Sequence, residues 1–69
     1  MALKDKILYL LEEYRERGIK EMPLREFVKQ AVVELGTYPQ TVYNIVKLLE
    51  WEGKIKIIGN KRNKKIILQ

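Results

Sequence analysis

Apolar residues recur at helical spacing from the start of the chain. Leu3, Ile7, Leu10, Leu11 and Tyr14 share one face, with Lys4, Asp5, Glu12, Glu13 and Glu16 opposite. This spacing predicts a helix over residues 3–17. Arg15 and Arg17 suit its negative end, and Gly18 is placed to cap it. Leu8 and Tyr9 fall outside the stripe. Residues 19–22 are too short for a helix and read as a connector or a brief edge strand. Pro23 sits where the first residue of a second helix belongs, because its missing N–H costs nothing there. Leu24, Phe27, Val28, Ala31, Val32 and Leu35 form the apolar stripe of that helix, over 23–35, and Gly36 stops it. Thr37 and Tyr38 make a tight turn. Pro39 opens a third helix over 39–52, with Val42, Ile45, Val46 and Leu49 inward and Gly53 at its end. The period then changes. Residues 54–58 and 64–68 are runs rich in isoleucine that flank Gly59-Asn60-Lys61-Arg62-Asn63, which is the signature of a hairpin.

A chain of 69 residues is one domain, 1–69. A domain of this size buries roughly 60% of the surface its unfolded form exposes, so a large enzyme-type cavity is not expected. The 46% apolar content is that of a folded chain. The inventory excludes much chemistry. There is no Cys, His or Ser, and Asp5 is the only aspartate. Ser–His and Cys–His nucleophiles, thiolate or imidazole zinc sites and disulfides are thereby ruled out. Thr37 and Thr41 have no imidazole to activate them. The expectation is a non-enzyme without metal, cofactor or small-molecule ligand. No apolar run approaches the ~20 residues of a membrane span, and the N-terminus lacks the apolar core of a signal peptide. The expected location is the cytoplasm.

Charge sharpens the picture because it is unevenly placed. The net charge is +5, yet residues 1–52 hold 8 basic and 9 acidic side chains. Residues 53–69 hold six basic ones, Lys54, Lys56, Lys61, Arg62, Lys64 and Lys65, and no acid. All the excess lies on the hairpin, which points to a polyanion partner. The plainer alternative is a solvated hairpin whose lysines guard an edge strand.

Two helices joined by a short turn after a Gly make a helix-turn-helix, and a basic hairpin directly after them makes a winged one. The segment from Gly36 to Ile55, with Thr41-Val42-Tyr43, Leu48-Leu49-Glu50 and Glu52-Gly53-Lys54-Ile55, resembles the winged helix-turn-helix family of DNA-binding domains. Small prokaryotic, archaeal or viral transcription regulators of this kind carry similar patterns. The resemblance extends over about residues 3–68. It implies an α+β fold, with three helices and a C-terminal two-stranded β-hairpin wing. Two positions depart from the family. A small residue usually stands four places before the turn Gly, where this chain has Val32. An aliphatic residue usually follows that Gly, where this chain has Thr37. The turn is therefore expected to be non-standard or one residue longer.

At 100° per residue, Gln40, Tyr43, Asn44, Lys47 and Trp51 fall opposite the apolar stripe of the third helix. The resemblance implies that the N-terminal part of this face enters the major groove of double-stranded DNA. Gln40 and Asn44 are suited to adenine, and Lys47 to a guanine or a phosphate. Thr41 and Tyr43 would donate to phosphates beside the groove. Lys61 and Arg62 sit at the wing tip, between Asn60 and Asn63. Lys54, Lys56, Lys64 and Lys65 extend a backbone footprint along the strands. Set against this, the same residues describe the polar side of any surface helix and any solvated hairpin, and Glu50 and Glu52 stand nearby. The apolar residues left outside the inferred core, Leu8, Tyr9, Val33, Leu48 and Trp51, suggest a homodimer contact. For Trp51, folding back over the hairpin is the commoner outcome. The alternatives to a sequence-specific regulator are a protein-interaction module and an unspecific nucleic-acid binder of nucleoid or RNA.

Overall fold

The computed structural model describes residues 2–68. Helix α1 (Leu3–Glu16) buries Ile7, Leu10, Leu11 and Tyr14. Strand β1 (Glu21–Pro23) follows, then helices α2 (Leu24–Leu35) and α3 (Pro39–Trp51) and strands β2 (Lys56–Gly59) and β3 (Lys64–Ile67). The result is a small α+β domain with three helices and one antiparallel sheet of three strands, in the order β1-β3-β2.

The sheet corrects the two-stranded expectation. Glu21, Met22 and Pro23 pair with Ile67, Ile66 and Lys65, which makes β3 the central strand. The Leu68 amide continues this ladder by donating to the Lys20 carbonyl at 2.8 Å. The segment after α1 is thus an edge strand, and proline is tolerated on such an edge because only one side of the strand must donate. Pro23 is consequently not the first helical residue. Its ψ of 136° is extended, and α2 starts one residue later.

Other boundaries shift for local reasons. Past α1 the amides of Gly18 and Ile19 donate to the carbonyls of Arg15 and Tyr14, so Arg17 leaves the helix and becomes its C-cap. Past α3 the amides of Gly53 and Lys54 donate to Glu50 and Leu49. These are paired closures of the last helical turn. They keep Lys54 winding out of the helix, so β2 begins at Lys56 instead of 54, and Glu52 caps α3 instead of extending it. β3 ends at Ile67, one residue short of the expected 68. Between α2 and α3 lie three residues, Gly36, Thr37 and Tyr38, with Gly36 left-handed at φ 62°.

The core gathers the buried stripes of the three helices around Ile66 and Leu68. Phe27, Ile7, Leu49, Ile66 and Val42 are fully enclosed. The Tyr14 and Phe27 rings meet edge to face, with centroids 6.2 Å apart. Leu3, Val32, Leu35 and Ile45, expected to face inward, are half-buried at the margin of the core. Leu8, expected outside the core, packs against it as well. Its helical position turns it toward the small recess that Leu11 shares with Ile55, Ile67 and Leu68. Lys4 on α1 and Glu52 after α3 form an ion pair at 2.6 Å that ties the two helices. Among the described residues no helix is long and apolar enough to cross a membrane.

Candidate nucleic-acid interface

Pro39 pre-sets the first turn of α3, and its buried residues Val42, Val46 and Leu49 fix the rotation of the helix against the core. That rotation leaves Gln40, Asn44 and Lys47 exposed along one line, with Tyr43 half-buried beside them. The Gln40 Nε2 group donates to Asn44 Oδ1 at 3.0 Å, linking the two amides across one turn. Thr41 is half-buried and lies around the helix from this line.

An open cleft of about 650 Å³ separates α3 from the hairpin. Tyr43, Lys47 and Glu50 line it from α3, Arg25 and Glu26 from the start of α2, and Lys61, Arg62 and Lys64 from the hairpin. Five cations thus face two carboxylates in one concavity. The hairpin tip is held by its own chemistry. Asn60 Oδ1 accepts hydrogen bonds from the amides of Arg62 at 3.0 Å and Asn63 at 2.9 Å, which fixes the loop that carries Lys61 and Arg62. Gly59 adopts φ +110° beneath this loop, and a Cβ there would overlap the Asn63 carbonyl oxygen. Only glycine fits.

The six basic residues of the hairpin region do not act as one group. Lys61, Arg62 and Lys64 face the cleft. Lys65 belongs to the other face of the sheet, where its ammonium lies 3.3 Å from Glu21. Lys56 stands opposite Ile67 on that same face, because strand residues alternate between faces. Lys54 lines the recess beside Glu12 and Arg15 of α1. The structure therefore gathers Lys47 with half of the predicted backbone cations and separates Lys54, Lys56 and Lys65 from them. Arg25 joins the cluster without having been singled out in the sequence. No local signal marks it, since only the pairing of β1 with β3 brings the start of α2 beside the hairpin.

The apolar residues proposed for a dimer contact are also scattered. Trp51 is 84% exposed at the end of α3 and does not fold back over the hairpin. The helix is too rigid to turn it around, since the stripe of Val42, Val46 and Leu49 is already committed to the core. Leu48 lies next to it at 41% exposure, whereas Tyr9 is on α1 and Val33, at 79%, on the outer face of α2. Tyr38 and Ile58, not singled out in the sequence, are exposed too. Compared with known protein families, with curated proteins and with solved structures, the chain matches none.

Proposed function

We propose that this chain is a winged helix-turn-helix domain that binds double-stranded DNA as a small transcriptional regulator in the cytoplasm. The observation that carries this reading is the cleft, in which Lys47 of α3 and Lys61, Arg62 and Lys64 of the hairpin converge on one side of the molecule. A helix of this kind fits a groove about 12 Å wide. Its exposed line would then offer Gln40 and Asn44 to base edges and Lys47 to a guanine or phosphate. The hairpin tip would lie on the backbone or in the adjacent minor groove, where Arg62 is the suited side chain. Tyr43, at the wall of the cleft, would donate to a phosphate beside the groove.

A titration of random duplex, single strand and structured RNA at two salt concentrations tests the reading. Duplex is expected to bind best, with log K falling against log salt at a slope of about −4, since ~4–5 cations meet phosphates. Equal affinity for all three polymers would instead mark an unspecific binder. Negligible duplex binding at physiological salt would favour a protein-interaction module. Trp51, at 84% exposure, is the observation that favours this second reading.

A two-fold copy would double the half-site contact. We propose that Trp51 and Leu48 form the homodimer contact, because they are the exposed apolar residues of that set that lie together on one helix, whereas Leu8 packs against the core and Tyr9 and Val33 lie apart on α1 and α2.

A further inference from the structure

An open recess of about 330 Å³ lies between α1 and the end of α2, apart from the cationic cleft. The buried Leu10 and half-buried Leu35 form its floor. Tyr9, Lys6 and Glu34, all exposed, and the half-buried Glu13 stand around it. Trp51, on α3, is covered by nothing in its own copy. We infer that the recess receives Trp51 of a second copy, reciprocally across a two-fold axis, resting on the reading of Trp51 as the homodimer contact. Tyr9 and Trp51, which belong to different helices of one copy, then meet across two.

Size narrows the occupant first. The recess is near the lower end of the ~300–1,000 Å³ of ligand pockets, which holds one aromatic side chain and not a helix or a strand. Trp51 is the only tryptophan and the most exposed large apolar side chain among the described residues. Its indole carries one N–H, a donor only, which needs an acceptor once water is excluded. The Glu13 and Glu34 carboxylates are such acceptors, and neither forms an ion pair with a described residue. The charge distribution of the ring fits too. Its positive edge suits the two carboxylates, and its negative face suits the Lys6 ammonium. Each indole buries about 150–250 Å², well below the ~1,200–2,000 Å² of a standard interface. Two-fold closure makes the same contact twice and leaves no open end. The dimer is therefore expected to be weak and concentration-dependent.

Because Trp51 is the only tryptophan, its fluorescence reports the seating directly. On dilution of the full chain, sedimentation is expected to show dimers giving way to monomers. Over the same range the emission should move from blue-shifted to that of an exposed indole. Tyr9→Lys removes the aromatic wall and places an ammonium one turn before Glu13, where the two pair along α1. This variant and Trp51→Ala should each weaken the dimer about 30-fold. Val33→Ala, exposed but outside the recess, should leave it unchanged. All three positions are exposed, and circular dichroism reports whether the variants keep their helices. Tyr9→Lys retains its tryptophan, and Trp51→Ala retains its recess. Mixing them is therefore expected to give mixed dimers and a blue shift at concentrations where each alone is monomeric. A mixture without that shift, or dimers of Tyr9→Lys that bury Trp51 as before, overturns the recess and leaves the Trp51 contact standing. Assemblies that grow beyond dimers overturn the reciprocal closure. Monomers at every concentration overturn the homodimer and the seating with it.

Discussion

The ionisation of Tyr14 is coupled to folding. Burial against Phe27 raises its pKa above the ordinary 10.0, the Glu34 carboxylate raises it further, and the Arg17 guanidinium opposes the shift. The fold therefore favours the neutral phenol. Its contribution is fully present below pH 10, and it is lost as pH rises from there through the raised value in the folded protein. Urea denaturation is expected to show stability falling above pH 10, and Tyr14→Phe is expected to remove that component of the fall. Gly59 is a second position where one residue decides an outcome. Gly59→Ala must strain a φ of +110° and displace the Asn63 carbonyl, so a loss of at least about 1 kcal/mol is expected in the same assay. That Gly59 belongs to a turn was legible from the Gly-Asn pair. That it also lies beneath the Asn60 turn was not, since the bonds that Asn60 Oδ1 accepts from the Arg62 and Asn63 amides depend on the folded loop.

The strands show how pairing ranks residues that look alike in sequence. Ile58 and Ile66 occupy equivalent β-branched runs, yet Ile66 is fully buried on the central strand and Ile58 lies exposed on an edge strand. Ile66→Ala is expected to cost about 2–5 kcal/mol, whereas Ile58→Ala should stay within about 0.5 kcal/mol. Denaturant midpoints of the two variants check the difference. The helices were readable because their stripes repeat over several turns, from Leu3 to Tyr14 and from Leu24 to Leu35. Residues 19–22 are too few for such a repeat and read equally as a connector or a brief edge strand, whereas the strand that forms is Glu21–Pro23. Its existence is decided by β3, more than forty residues later in the chain.

Across the domain, the distribution of charge matters more than its total. The net charge of +5 is fixed by composition, but the fold turns Lys56 and Lys65 away from the cleft and adds Arg25 to it. Reversing Lys56 to Glu is therefore expected to change DNA affinity much less than reversing Lys64 to Glu, measured by duplex titration at fixed salt. The proposed dimer has a geometric condition of its own. Trp51 continues the exposed line of Gln40, Asn44 and Lys47, about 16 Å along the axis from Gln40. A second copy seated on Trp51 must leave the first two turns of α3 open. Sedimentation equilibrium should then find dimers, and Trp51→Ala should shift them to monomers while the helix signal stays unchanged. A monomer at high concentration overturns this contact.

The order of helices, the hairpin, the exposed line of α3 and the basic excess at the C-terminus follow from the sequence alone. Each depends on residues close together in the chain, where the period of apolar positions and the turn chemistry of Gly, Pro and Asn act directly. The third strand and the membership of the cationic cleft follow from long-range pairing and packing. β3 can have two partners only once the chain has returned upon itself, and that return sets which faces the lysines take. The same return carries Arg25 to the hairpin.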